Sequence, residues 1–363
     1  MWESGGETGI RTLGTLSGST VFETAPFDHS GTSPRFLGGE AGIKLRGVEA
    51  QGGFDQKKHK CRIFLGKVRA MLTILWLGTA LAGGPVLPET AVPGPDRYIH
   101  VQAEAAARQV SVDRLWSTLA LGPQMRIFQQ EAVQEAGRLD GEGMIAGSGR
   151  SWAATVGDIH DPARLQILFR NGLDKAMDSS DPALIAKALQ FYEDGLGRRL
   201  VPLEIAARRA MLKDEVTAQA GAAFARAVSR DDARAGQILR LIEVADLVSP
   251  NVTSGLNASV AFSDGFGATG GFDMPLSQDQ MLQETWAQQD QIEAETRDWL
   301  QSFLMLAYST LTDEEVERYI TFASSPQGRE LASAMFAAYD TVFLQTSRDM
   351  GMAAGLRLQG QQL

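Results

Sequence analysis

Residues 191–200 read FYEDGLGRRL and residues 322–331 read FASSPQGREL, two versions of one segment at an offset of 131 residues. Phe191, Gly197, Arg198 and Leu200 stand opposite Phe322, Gly328, Arg329 and Leu331. Upstream, Ile185, Ala188 and Leu189 match Val316, Tyr319 and Ile320; downstream, Ile205, Met211 and Leu212 match Phe336, Val342 and Phe343. Apolar residues at spacings of three and four turn one face of a helix toward a core. Each unit therefore reads as a helix, a tight break and a second, longer helix, at about 161–215 and 291–350. Asp194 and Ser325 are the expected N-caps of the second helices, with Pro326 at the first helical position. A glycine in the next turn weakens a helix by about 1 kcal/mol relative to alanine. Its presence in both units, at Gly197 and Gly328, points to another backbone or a ring packed close against each.

Helix-start signals recur along the rest of the chain. Ser111 precedes VDRLW, Pro123 opens PQMRIFQQEAVQEA, and Asp161-Pro162 and Asp181-Pro182 each place a capping residue before a proline. Thr312 with Glu315 spells a capping box. In the helix from 181, Leu184, Ile185, Ala188, Leu189 and Tyr192 form one stripe. No segment alternates for long enough to mark a sheet. The expectation is an all-α array of about ten helices at 105–350, with a tail at 351–363.

The stretch LTDEEVERYITFASSPQGREL at 311–331 carries an acidic helix start that leads to an aromatic, a serine, a glycine and a basic residue. In this it resembles the bacterial domain of unknown function 2059, over about 285–350. A weaker copy at about 161–215 has Gly195 where Pro326 stands and Asp194 in place of Ser325. The resemblance implies an exported helical protein. It brings no established activity, catalytic residue or ligand.

The N-terminal part is a different polymer. Residues 1–70 carry 10 Lys+Arg and 7 Asp+Glu, leaving 24 and 37, a net −13, for the remainder. Residues 1–56 are rich in Gly, Ser and Thr without apolar periodicity, a composition that does not fold alone. GGETGIRTLGT followed by FDHSGTSP resembles the product of a misplaced start codon that reads through a neighbouring tRNA gene. Residues 1–67 are accordingly expected to be a non-native or disordered extension. Residues 71–82, MLTILWLGTALA, form an apolar run ending in Ala-Leu-Ala, the grammar of a secretory signal with cleavage near Ala82. A start at Val68 supplies a basic residue before the run, with Leu65 and Met71 as other starts, so the signal is placed at 68–82. The run is shorter than the roughly 20 residues of a membrane span. Pro85, Pro88, Pro93 and Pro95 mark 83–104 as an extended linker.

Beyond the signal the chain has no cysteine, because the single one is Cys61, so disulfides, thiolate nucleophiles and Cys-ligated metals are excluded there. It carries three Lys (Lys175, Lys187, Lys213) against 21 Arg, a bias typical of a bacterial genome rich in G+C. Periplasmic or secreted localisation follows as the expectation. The acidic balance argues against nucleic acid, which needs a basic footprint. No apolar run of 18 residues is present to hold the chain in a membrane.

Chemical motifs are sparse. Gly265-Phe-Gly-Ala-Thr-Gly270 is a literal G-x-G-x-x-G after NASVAF, but a dinucleotide site needs a helix to open on those glycines, and Gly271 and Pro275 follow instead. A flexible loop between the two halves is expected. Asp158-Ile159-His160-Asp161 gathers three metal-ligand types, yet Asp161 already serves as a cap, and an exposed turn without metal is expected. Asn251 and Asn257 fit glycosylation patterns to which a bacterial protein assigns no modification. Glu314, Glu315 and Glu317 are what a helix dipole favours in a first turn. Trp116, Trp152, Trp286 and Trp299 are expected in the core rather than around a pocket.

Arg198 and Arg329 are the candidate site residues, because a cation near a helix start opposes the dipole by about 0.3–1 kcal/mol. An ion pair with Glu193 or Glu315 is the ordinary compensation; an anion bound by the arginine and free N–H groups is the functional one. Arg208 and Arg209 lie further along the same helix as a possible extension of positive charge. With no catalytic serine elbow, zinc-helix motif or Ser-Lys pair after the signal, and no cofactor implied, the expectation is a binding module for an unknown periplasmic protein or small ligand. A hydrolase or small-ligand carrier with its site between the repeats is the alternative.

Overall fold

The computed structural model describes residues 111–360 except 144, 146–149, 273 and 275–276. The extension, signal peptide and linker expected at 1–104 lie outside the described residues. A helical segment at 111–118 is followed by twelve helices. They are α1 (Leu121–Gly141), α2 (Trp152–Ile159), α3 (Pro162–Met177), α4 (Pro182–Glu193), α5 (Gly195–Ala210) and α6 (Asp214–Ser229), then α7 (Ala233–Val244), α8 (Ser249–Ala268), α9 (Gln278–Trp286), α10 (Gln289–Ala307), α11 (Asp313–Ala323) and α12 (Pro326–Leu358). No strand occurs among the described residues, and the fold is all-α. No described helix is long and apolar enough to cross a membrane.

The start signals act as their chemistry requires. Asp161 accepts from the N–H groups of Ala163 and Arg164, Asp181 from those of Ala183 and Leu184, and Thr312 closes a capping box with Glu315. The two units, α4–α5 and α11–α12, break differently. Ser325 caps α12 through the Gly328 N–H. Asp194 occupies the N-cap of α5, but its side chain makes no capping bond, contrary to expectation. There Gly195 has a φ of 52°, a left-handed turn that a proline cannot adopt, which accounts for glycine opposite Pro326.

The repeated glycines pack as inferred. A Cβ at Gly197 would collide with the carbonyl oxygen of Phe191, and one at Gly328 with that of Phe322, the same contact in both units. Each glycine lets its helix start directly against the end of the preceding one. Gly328→Val is expected to destabilise by about 1–3 kcal/mol, as overpacking does. A urea midpoint equal to wild type would remove the close approach.

Helix α12 organises the array. At 1.5 Å per residue its 33 residues extend about 50 Å. Helix α3 crosses its N-terminal half at Gly172, where a Cβ would lie 2.9 Å from the Cα of Ala338. Helix α8 crosses its C-terminal half: a Cβ at Gly265 would enter the Arg348 carbonyl, and one at Gly351 the Phe262 carbonyl. The G-x-G-x-x-G stretch is thus largely helix, not the flexible loop expected. Gly265 is buried against a neighbouring backbone and Gly267 is exposed. Asn251 and Asn257 are buried in the same helix. Residues 351–358, expected as a tail, continue α12, because Gly351 and Gly355 give α8 its surface to pack on.

Candidate functional site

The two units meet ring to ring. Phe191 and Phe322, equivalent in the repeat, stack with centroids 3.7 Å apart and planes 6° from parallel. Tyr192 meets Phe322 edge-on at 5.5 Å, and the Tyr192 and Tyr319 hydroxyls are 3.3 Å apart. The arrangement is reciprocal at its rim. Arg199 of the first unit pairs with Glu315 at the start of α11, while its counterpart Glu330 accepts from the Asp181 N–H at the start of α4, at 2.7 Å. The backbone N–H of Thr312, then the arginine beside it, hold the Glu315 carboxyl below the usual range. The seam expected to hold a ligand in the alternative reading is filled by aromatic rings.

Inside this seam lies a polar cluster that the sequence reading did not single out. The Tyr308 hydroxyl donates to Glu204 Oε1 at 2.7 Å, and the Tyr319 ring meets Tyr308 edge-on with centroids 5.5 Å apart. Tyr308 is 0% and Tyr319 1% exposed, so the carboxyl oxygen bonded to Tyr308 sits against a buried phenol, while Glu204 as a residue is half-buried. Burial raises the pKa of Glu204 above the ordinary glutamate value, against the lowering effect of the two phenols. Burial likewise pushes the Tyr192, Tyr308 and Tyr319 hydroxyls up, which keeps them neutral. Arg234 on α7 fixes Tyr308 by donating to its carbonyl and to that of Leu311, each at 2.6 Å. The available sequence signal was Glu204 and Arg208 falling at helical spacing with Leu200 and Ala207 on an apolar face.

Arg198 and Arg329 are exposed at equivalent positions of the two units, and neither forms an ion pair with another described residue. The acids expected to compensate them are committed elsewhere: Glu193 pairs with Arg114 at 2.6 Å, and Glu315 with Arg199. Arg208 is no part of a positive strip. It is buried, forked onto Glu131 at 2.9 and 2.8 Å, and covered by the rings of Phe128 and Trp299. Arg209 is exposed.

The Asp158–Asp161 stretch is dispersed by its chemistry. Asp158 pairs with Arg150 and Asp161 caps α3, while His160 is buried rather than in the exposed turn expected, its Nδ1 3.0 Å from the Val156 carbonyl. Burial pulls the His160 imidazole down to about 4, so it is neutral near pH 7. No group of three metal-ligating side chains occurs among the described residues. Beside this turn, Ile159, Met352, Ala353 and Leu356 line an open groove of about 280 Å³ together with Arg150, Asp158 and Asp349. That is slightly below the ~300–1,000 Å³ of ordinary small-molecule sites. Of the tryptophans, Trp152 is core, Trp116 packs on Phe169, Trp299 stacks on Phe303 and Trp286 is exposed. Comparison with family models, curated proteins and solved structures returns no match for this chain.

Proposed function

We propose that the chain is an exported bacterial protein that works by binding rather than catalysis, as a helical interaction module of the periplasm. The likeness of 311–331 to domain of unknown function 2059 and the signal grammar at 68–82 support the compartment. The observation that carries the binding reading is the pair Arg198 and Arg329. Both units present an exposed arginine at the end of a helix's first turn, where the dipole disfavours it and no described acid compensates it. An anionic group on a partner protein or small ligand supplies that compensation.

Charge reversal makes the reading testable, because glutamate at these positions is favoured by the dipole and does not threaten the helices. Arg198→Glu with Arg329→Glu is expected to keep the melting temperature and to disturb the role of the protein, scored as complementation of a deletion strain at equal protein level. His160→Ala, compared at matched abundance, is expected to leave the role intact. Loss of complementation by His160→Ala with abundance and melting temperature unchanged would overturn the binding reading in favour of an enzyme or metal site.

A further inference from the structure

We propose that Glu204, with Tyr308, Tyr319 and Tyr192, forms an acid-closed latch on the seam between the two units. The residues come from four places that the seam joins: Tyr192 from α4, Glu204 from α5, Tyr308 from the end of α10 and Tyr319 from α11. A neutral carboxyl completes the set. Tyr308 donates to one oxygen at 2.7 Å, and beside it the Tyr319 and Tyr192 hydroxyls are 3.3 Å apart. Ionisation leaves a negative charge against buried rings with no described cation paired to it, which favours opening of α5 away from α10 and α11.

The charged groups on the packed elements do not offset that ionisation. Glu131 on α1 is committed to Arg208, Glu193 on α4 to Arg114, and Glu315 on α11 to Arg199. Of the arginines on α5 itself, Arg199 and Arg208 are in those pairs, and Arg198 and Arg209 are exposed. On α10, Arg297 pairs with Glu293 within its own helix. What acts on the Glu204 carboxyl is its burial and the tyrosine hydroxyls. The sign follows from linkage. The closed state holds its proton to higher pH than the open state, so closure is strongest below about 4.5, the ordinary glutamate value, and weakens as pH rises through the value in the closed seam. One proton limits the effect to about tenfold in the closed-to-open ratio per pH unit.

The test is hydrogen exchange of the full chain, read at the amides of 191–205 and 308–323 between pH 5 and 8 after correction for intrinsic rates. Protection there is expected to fall more steeply with rising pH in wild type than in Glu204→Gln, the difference reaching up to about tenfold per pH unit. His160 acts in the opposite direction, because its lowered value costs stability as pH falls below about 6.5, and it is common to both proteins. An equal pH slope in the two proteins overturns the latch. Should Glu204→Gln fail to fold, a carbon NMR titration of the Glu204 carboxyl in wild type decides: a midpoint above that of ordinary glutamates supports the latch, and one at or below them overturns it.

Discussion

Gly265→Val is expected to cost about 3 kcal/mol or more, at the upper end of what overpacking does. The added carbon would sit on the carbonyl oxygen of Arg348, with the Met352 nitrogen 3.1 Å away, so the obstacle is the backbone of α12 and not a side chain that can rotate aside. Two residues further along α8, Gly267 is exposed and its Cβ would meet only the edge of the Phe272 ring at 3.3 Å. Gly267→Val is therefore expected within about 0.5 kcal/mol of wild type. Urea unfolding of the two variants side by side measures the difference, and similar midpoints would show that α8 and α12 do not cross backbone to backbone at this point.

That contrast also shows where the sequence was legible. The paired caps at Asp161, Asp181 and Thr312 and the stripes of α4 and α11 are local signals, in which side chain and backbone a few residues apart settle the conformation. The glycines at 197 and 328 were legible because the repeat placed the same unfavourable residue twice in the same turn. Helix α8 was not. Its closing stretch, Gly265 to Gly270, read as a loop because intrinsic helix preference is low for glycine. What makes it helical is burial on nearly every side, including Asn251 and Asn257, and close packing on α12. Helix α12 has small residues around much of its circumference for the same reason, so no single apolar face announces its last turns, Gly351 and Gly355 included.

The charged side chains divide along the same line. Arg199 and Glu315 are separated by more than a hundred residues, and their pairing depends on how the two units face each other, which no spacing rule contains. Glu204 and Arg208 were visible as charges on an apolar stripe, but their partners Tyr308 and Glu131 come from distant helices. Arg198 and Arg329 stay exposed while Glu193 and Glu315, the acids expected to pair with them, are held by Arg114 and Arg199.

The largest single-charge effect is expected at Glu131. Removing its carboxylate by Glu131→Ala leaves the Arg208 guanidinium buried, with Phe128 and Trp299 on its faces at 4.5 and 5.4 Å but no anion on its edge. Breaking a buried pair from one side costs about 3–5 kcal/mol, because the remaining charge is neither hydrated nor paired. The two rings return only part of that, since a ring face is worth about 0.5–2 kcal/mol to a cation. Arg208→Met alone strands the carboxylate instead, yet Glu131 is at 21% exposure and reaches water more easily, so the smaller loss is expected there. Replacing both, as Glu131→Leu with Arg208→Met, removes the charge and keeps the volume, and is expected near wild-type stability. A double-mutant cycle in urea built from Glu131→Leu, Arg208→Met and the two together reads the coupling directly. Additive losses across the cycle would mean that the fork between α1 and α5 does not hold those helices together, and that the apolar contacts around it do.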